Sequence, residues 1–394
     1  MKRQRKRKKS VYLDYAATTP VAREVLKAML PYFNNKFGNP NSLHAFGREA
    51  REAIEKSRDV VASLINAKSN EIIFVSSGTE ADNMAIKGYA LANRQKGKHI
   101  LISSIEHKAV INAAKWLKNF GFDVEFVNVD ASGIIKLDEL EAKIRKDTIL
   151  VSIMTVNNEI GTIQPIKEIA RICSEKGIAF HTDAVQGLGK LKIDVKKTGI
   201  DMLSGSSHKV YGPKGVGLLY KRERIKIEPL LHGGGHEFGL RSSTENTAGI
   251  VGFAKALQLC YKEINKEAKR QEKLRDKIIK EVLSYDFIKI KLNGAWPKHR
   301  IFNNANFSFY GIEGEALVLL LDEAGIACST GSACSEKTLR PSHVLLAIGL
   351  KPEEAHGSLR ITLGRYTTKK DIDYFLSVLP NAIKKLKEIS PFKK

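Results

Sequence analysis

One lysine in the sequence has neighbours that suggest chemistry. Residues 206–217 read SSHKVYGPKGVG, so Lys209 follows the apolar run DMLSGS and precedes a turn rich in glycine and proline. A lysine ammonium is strongly hydrated and normally lies on open surface. At the end of a predicted strand, Lys209 is therefore either a solvated turn residue or an amine placed for chemistry.

Polar residues follow several other predicted strands in the same way. Each has an ordinary alternative role, as a helix cap, a turn residue or a buried histidine with its hydrogen bonds made. In open α/β sheets, however, ligands bind outside the carboxyl ends of the strands, so residues at these positions meet at one edge. The residues concerned are Gly78 and Thr79 after EIIFVSS, His107 after HILISS, Asn158 after ILVSIMTV, Asp183 and Gln186 after IAFH, and Ser206 and His208 beside Lys209.

Together these residues provide an anion cradle at the start of a helix, an imidazole, an amide, a carboxylate and an amine. Pyridoxal phosphate needs such a set: a lysine amine that holds it, an acid facing its pyridine nitrogen and a phosphate site. We therefore expect pyridoxal phosphate as the cofactor. Lys209 is then its covalent anchor, and becomes the general base once substrate displaces it.

The elements that must position these residues form an α/β pattern. From about Glu71 to Tyr220, short apolar runs alternate with helical segments, which predicts a largely parallel sheet covered by helices. A long charged helical pattern follows, and a second α/β region begins with IKIKL. We place a domain boundary near residue 260, on that long helix. The expected parts are a basic tail over 1–10, a large cofactor-binding domain over 11–260, whose first residues could pack on the small domain, and a small C-terminal domain over 261–394.

Composition limits the class of protein. The chain of 394 residues carries a formal charge of +22, part of it in the N-terminal run KRQRKRKK. Such a tail could bind nucleic acid or an acidic partner, but a solvated tail is the commoner outcome, and nucleic acid is otherwise not expected. No apolar run approaches the ~18 residues that span a membrane, and we expect no secretory signal. With 4 cysteines and no CxxC pair, we expect free thiols in the cytoplasm, without disulfides or a structural zinc site.

The C-terminal region offers a thiol that could act on a substrate. Cys334 lies in GIACSTGSACSEKTLRPSH, which is rich in glycine and serine and therefore expected to be mobile. Such a thiol could reach a substrate and then carry its product elsewhere; the alternative is a small loop residue. An exposed free thiol is a liability without a function, so we favour a function for Cys334. Cys328, after ALVLLLDEAGIA, is expected to be partly buried and unreactive.

Beyond these residues, the sequence resembles the cysteine desulfurases of the class-V aminotransferase family. The matching stretches include YLDYAATTP, FGNPNSLHAFGREAR, SSGTEADNMAIKG, EHKAV, VNNEIGTIQPI, HTDAVQ, SSHKVYGPKGVG, HGGGHEFGLRSSTENT, GSACS and SLRITLGRYTT. They cover nearly the whole chain except the basic tail, and the long cysteine segment is similar to that of the nitrogen-fixation and iron–sulfur-cluster branch. The resemblance implies a fold-type I pyridoxal phosphate enzyme, with a large mostly parallel-sheet domain and a smaller α/β domain.

The resemblance also implies a role for each matching residue. Lys209 would hold the cofactor, Asp183 would pair with its ring nitrogen, Gln186 would contact its phenolic oxygen, and His107 would stack on the ring and move protons. The phosphate would be held by Gly78, Thr79, Ser206 and His208, together with Thr244 from the partner subunit of a homodimer. Asn158 would lie by the cofactor and take the substrate carboxylate with Arg360, and Cys334 would be the nucleophile. Ser243 stands where the family commonly has glycine.

The activity implied is conversion of L-cysteine to L-alanine, with the sulfur carried on Cys334 as a persulfide. The sulfur would pass to a scaffold protein for iron–sulfur cluster assembly, or to a carrier for transfer-RNA thiolation. Cys334 would also be a candidate ligand of a transferred cluster. The near alternatives are an aminotransferase and a selenocysteine lyase. A non-catalytic binding protein belongs to a different class, and the presence of Lys209 argues against it.

Overall fold

The structure is a computed structural model that describes residues 10–331 and 341–389. Cys334 and the basic run over residues 2–9 lie outside the described residues. The strands form one sheet of 7, one of 3 and one of 2. They are β1 Val11–Tyr12, β2 Ile72–Val75, β3 His99–Ser103, β4 Asp123–Val127, β5 Thr148–Ser152, β6 Ala179–Asp183, β7 Met202–Ser206, β8 Gly217–Lys221, β9 Ile290–Leu292, β10 Asn304–Phe309, β11 Ile326–Ala327 and β12 Ser358–Thr362.

Helices lie between most of the strands. They are α1 Arg23–Met29, α2 Pro31–Asn34, α3 Ala45–Ile65, α4 Gly78–Asn83, α5 Tyr89–Ala92, α6 Lys108–Leu117, α7 Leu137–Lys143, α8 Ile166–Glu175, α9 Val195–Thr198, α10 Thr247–Leu283, α11 Gly314–Glu323, α12 His343–Ala347, α13 Pro352–His356 and α14 Lys369–Ile389. A π-helical turn, Met84–Gly88, joins α4 to α5. Among the helices of the described residues, none has the length and apolar character needed to cross a membrane.

The large sheet has the order β2-β8-β7-β6-β5-β3-β4. Its neighbouring strands are parallel, except that β8 runs antiparallel to both β2 and β7. This confirms the predicted mostly parallel α/β fold. Because parallel strands end at the same edge of a sheet, the residues that follow β3, β5, β6 and β7 meet there.

Helices cover both faces of this sheet. Along β3, Ile100 and Ile102 pack in one cluster with residues of α4 and α6, and Leu101 packs in another with residues of α3, α8 and α10. Successive side chains of a strand point to opposite faces, so a strand buried on both sides is apolar throughout. The central strands are therefore fixed between two apolar layers, which makes their carboxyl ends a rigid base for a site.

A separate apolar cluster lies in the C-terminal part of the chain. It contains Phe307 and Phe309 of β10, and also Val11 from the start of the chain, because β1 pairs with β11. Helix α10 contributes Phe253 to the first core and Ile278 to this one. The boundary predicted near residue 260 falls inside α10 and stays a prediction.

Candidate active site

A cavity of about 890 Å³ opens at the carboxyl ends of the central strands. It is lined by every residue predicted for the cofactor or the substrate except Thr244. These residues are Gly78, Thr79, His107, Asn158, Asp183, Gln186, Ser206, His208, Lys209 and Arg360. Residues scattered over most of the sequence thus meet in one site.

Lys209 stands directly after β7, in the short helical turn Ser207–Lys209. Its Nζ donates hydrogen bonds to the carbonyl oxygens of Ala16 at 2.7 Å and Ala17 at 2.6 Å. The N-terminal segment is fastened here by Thr19, whose N–H and hydroxyl both donate to His208 O at 2.9 Å. The amine is therefore held in the cavity rather than in bulk solvent, which favours the chemical role over the solvated turn.

The first turn of α4 forms one wall of the cavity. Gly78 packs so tightly that a Cβ placed on it would lie 2.7 Å from Val185 Cγ2 and 3.4 Å from Ser206 Cβ. The N–H groups of a first helical turn have no partner inside the helix, and they attract anions. Burial and the nearby lysines, Lys209 first among them, lower the pKa of His208 to about 4, so its ring is neutral. This glycine-lined cradle fits a phosphate group.

His107 caps the N-terminus of α6. Its Nδ1 accepts a hydrogen bond from Ala109 N–H at 3.1 Å. When the ring is neutral, its proton therefore lies on Nε2, which can donate.

Asp183 ends β6 and is buried, with Oδ1 accepting from Val185 N–H at 2.9 Å. Burial raises the pKa of this carboxyl, while His107, the Val185 N–H and Lys209 lower it. A cationic ring nitrogen in the cavity would offset the remaining cost of the buried charge. The donor set therefore fits pyridoxal phosphate.

Arg360 lies on β12, the strand of the three-stranded sheet that borders the cavity. Its Nη2 donates to Asp14 Oδ1 at 2.8 Å, and its Nη1 donates to the backbone oxygen of Asn158 at 3.0 Å. Its Nε is buried and has no hydrogen-bond partner among the described residues. A carboxylate is the natural acceptor for such a group.

Three residues that contact the predicted site residues or line the cavity are absent from the sequence-based prediction. Asp14 pairs with Arg360, Lys190 donates to Gln186 Oε1 at 2.9 Å, and the buried carboxyl of Glu106 lines the cavity. The stretches YLDYAATTP and EHKAV contain Asp14 and Glu106, and HTDAVQ ends four residues before Lys190. Sequence alone gave no reason to single out their side chains.

Thr244 lies elsewhere, in a concavity of about 210 Å³ with Ser76, Gly215 and Arg241. Its predicted role belongs to the site of a partner subunit and stays a prediction. Cys334 is outside the described residues, but Gly331 and Pro341, which flank the segment 332–340, both line the main cavity.

Of the other thiols, Cys173 and Cys328 are buried and Cys260 is half-buried. Burial raises the pKa of Cys173, Cys260 and Cys328 to about 12 in each case. A thiol of this kind is protonated near neutral pH and is a poor nucleophile. The expectation of an unreactive Cys328 agrees with this burial.

Comparisons with known proteins agree with the site. Residues 11–375 match the family model described as aminotransferase class-V. The cysteine desulfurase IscS of Dictyoglomus turgidum is 53% identical over 386 residues, which are 98% of this chain and 98% of that protein. The cysteine desulfurase IscS 1 of Archaeoglobus fulgidus is 53% identical over 380 residues, 96% of this chain and 98% of that protein.

Solved structures show the same fold. A NifS-like protein has a TM-score of 0.90 at 39% identity, covering 97% of this chain and all (100%) of that one. A structure described as SspA in complex with cysteine has a TM-score of 0.80 at 39% identity, covering 91% of this chain and 100% of that one. Such matches over nearly the full length confirm the predicted family and its fold. The chain therefore belongs to the class-V aminotransferase family, among its cysteine desulfurases.

Proposed function

We propose that this chain, as a pyridoxal-phosphate-dependent cysteine desulfurase, releases L-alanine from L-cysteine and takes the sulfur onto the thiol of Cys334. The observation that carries the proposal is a single cavity that contains Lys209, Asp183 and Arg360. These side chains provide an amine, a buried acid and a receptor for a carboxylate. L-Cysteine carries the complementary amine and carboxylate together with the thiol that reacts.

The cofactor would be held by residues of the large sheet. Lys209 would bind it through Nζ, and Asn158 would lie beside it. Asp183 would face its ring nitrogen, Gln186 would face its phenolic oxygen, and His107 would face its ring. Its phosphate would be held by Gly78, Thr79, Ser206 and His208. When bound, pyridoxal phosphate supplies an electron sink that makes the substrate Cα–H bond acidic. The remaining chemistry is done by side chains.

Proton transfer would use two groups. Lys209 Nζ would accept the Cα proton of the substrate. His107 has Nδ1 engaged by Ala109 N–H, so its Nε2 is the atom that exchanges protons with the cavity. Both groups are placed on short backbone segments at strand ends, which restricts their motion.

Sulfur transfer would use Cys334 as the nucleophile. Its thiolate attacks the substrate sulfur, the Cβ–S bond breaks, an S–S bond forms and the carbon product takes up a proton. L-Cysteine and one enzyme thiol thus give L-alanine and one enzyme persulfide, without an added oxidant or reductant. The position of Gly331 and Pro341 on the cavity wall and the raised pKa of the other three thiols support Cys334 for this role.

The persulfide would pass to a cytoplasmic acceptor, either an iron–sulfur scaffold or a carrier for transfer-RNA thiolation.

A homodimer is part of this proposal. Large apolar side chains cluster on the surface of the segment 33–46, where Phe33 is 63% exposed, Phe37 65% and Leu43 90%. A patch of this kind commonly marks an interface. It would be covered in a dimer that brings Thr244 to the site of the other subunit.

The proposal is tested by product analysis of the purified protein loaded with cofactor. L-Cysteine should yield alanine and enzyme-bound plus released sulfur in equal amounts. Transfer of the amino group to a keto acid without sulfur release would indicate an aminotransferase, and turnover of selenocysteine with negligible turnover of cysteine would indicate a selenocysteine lyase. Binding of a partner without any turnover would indicate a non-catalytic protein.

A further inference from the structure

Lys190 lies behind the cofactor side of the site. The turn after β6 brings it back over Gln186, with Leu191 N–H bonded to Gly187 O at 2.8 Å and Gly189 at φ +72°. Lys190 Nζ donates to Gln186 Oε1 at 2.9 Å and approaches Gln186 O at 3.3 Å. The lysine therefore contacts a residue that the proposed function places against the cofactor.

This contact determines which way the Gln186 amide points. Both the ammonium and the neutral amine of a lysine carry N–H donors, and Lys190 Nζ donates to the amide oxygen rather than facing the amide nitrogen. Nε2 then faces the opposite way and donates to Ala16 O at 2.9 Å. The same Ala16 oxygen accepts a hydrogen bond from Lys209 Nζ at 2.7 Å. Among the described residues no second acceptor binds this nitrogen, so its other N–H can donate into the cavity that Gln186 lines.

We propose that Lys190 is a positioning residue: it holds Gln186 with its amide N–H group toward the cavity, as a donor to the phenolic oxygen of the cofactor. The proposal rests on the proposed function, which places Gln186 at that oxygen. Without Lys190 only the Nε2 bond to Ala16 O holds the amide, so the amide can reorient more readily, and its oxygen turned toward the cavity would repel the phenolate.

The surroundings of Lys190 are costly for a residue with a purely structural role. A small cavity beside it is lined by the titratable groups that face it: Lys209, Tyr211, Cys260, Glu263, Glu267 and Arg365. The two acids are already engaged, Glu263 by Arg365 and Glu267 by Arg270. Burial, and then the charge of Lys209, lower the pKa of Lys190 to about 7, while Cys260 opposes the shift. An apolar side chain would fill this position at lower cost, which favours a role through Gln186.

The test is the pH dependence of the visible absorbance of the holoenzyme, recorded without substrate. A donor to the phenolic oxygen and a positive charge nearby both disfavour a proton on the nitrogen that links Lys209 to the cofactor. Lys190→Met removes both, so the midpoint of the absorbance change should rise by about one pH unit. Lys190→Arg keeps a charged donor and should stay close to the parent midpoint. Lys192→Met, at an exposed lysine two positions along the chain, is the matched control.

A second comparison shows whether the effect passes through Gln186. In a Gln186→Leu background, Lys190→Met should shift the midpoint much less than in the parent. An unchanged midpoint in Lys190→Met, or an undiminished shift in the Gln186→Leu background, would overturn the proposal. If Lys190→Met does not fold, Lys190→Leu, which also lacks both the donor and the charge, carries the same test. A parent protein without visible cofactor absorbance would instead refute the proposed function.

Discussion

Arg360→Lys tests the substrate site most directly. Arg360 Nη1 donates to Asn158 O at 3.0 Å and to Gly331 O at 3.3 Å, and Nη2 donates to Asp14 Oδ1 at 2.8 Å. Within the described residues, the N–H groups left over are the one on Nε and the second one on Nη2. These nitrogens are adjacent on the guanidinium plane, as a bidentate pair with a carboxylate requires.

The size of the effect follows from these bonds. A lysine ammonium keeps the charge but has no planar fork, so it cannot form the bidentate pair. A hydrogen bond to a charged group contributes about 1.5–3 kcal/mol. Losing two such bonds, less the part that the lysine charge recovers, costs about 3–4 kcal/mol. We therefore expect kcat/KM for L-cysteine to fall on the order of 10²–10³-fold.

The assay compares two ligands. Alanine release gives kcat/KM for L-cysteine, and the change in cofactor absorbance gives dissociation constants for L-cysteine and for 2-aminoethanethiol, which lacks the carboxylate. The substitution should weaken binding of L-cysteine and leave that of 2-aminoethanethiol within a few-fold. Arg365→Lys is the control, because Arg365 pairs with Glu263 and does not line the large cavity. A fall in kcat/KM below tenfold, or equal weakening of both ligands, would refute the assignment of Arg360.

The remaining predictions concern the anchor, the nucleophile and a buried acid. Lys209→Ala should lose both the visible absorbance of the bound cofactor and alanine release; native turnover would show that another amine serves. Cys334→Ser should keep its cofactor but form no persulfide and release little alanine, whereas Cys328→Ser should keep most of both. Persulfide mapping by mass spectrometry checks this, and label on Cys328 with normal alanine release in the Cys334 variant would move the nucleophile. Burial raises the pKa of Asp82 well above its usual range. The unfolded chain loses this proton above pH about 4 while the folded protein keeps it, so the free energy of unfolding falls as pH rises. Asp82→Asn should flatten that fall in thermal unfolding scans and leave Tm at pH 7 unchanged or higher; a clear decrease would mean that the carboxylate is ionised and paired.

The central strands could be predicted because they are buried on both faces and read as continuous apolar runs. Strand β4 could not, since it lies at the sheet edge and reads DVEFV, with Asp123 exposed and Glu125 half-buried. A charged, alternating edge strand lacks the apolar run on which the prediction rests. The reversal of β8 also escaped prediction, because strand direction depends on pairing between distant segments.

The site was predictable where residues follow parallel strands, since the sheet itself brings them together. It was not predictable where other segments enter. Ala16 and Ala17 reach Lys209 because β1 pairs with β11, and because Ala16 N–H donates to Thr362 Oγ1 at 2.9 Å. The same pairing brings Asp14 to Arg360. The pairing of β1 with β11, the Ala16–Thr362 bond and the Asp14–Arg360 pair each join residues more than three hundred positions apart. No local pattern in the sequence encodes them.

Four buried carboxyls line the cavity, those of Asp82, Glu106, Glu159 and Asp183, and three of them differ in how their charge is stabilised. Burial raises the pKa of Asp82, Glu106 and Asp183 alike, and Asp183 raises the pKa of the other two further. Among the described residues, cationic groups oppose the rise for Asp183, namely His107 and Lys209, and for neither of the other two acids. Burial also lowers the pKa of His181 to about 3, so this histidine behind the site is neutral and offers the acids no charge. Of Asp82, Glu106 and Asp183, Asp183 at the end of β6 is the acid whose negative charge is favoured by neighbouring cationic groups, and a cationic ring nitrogen would stabilise that charge further.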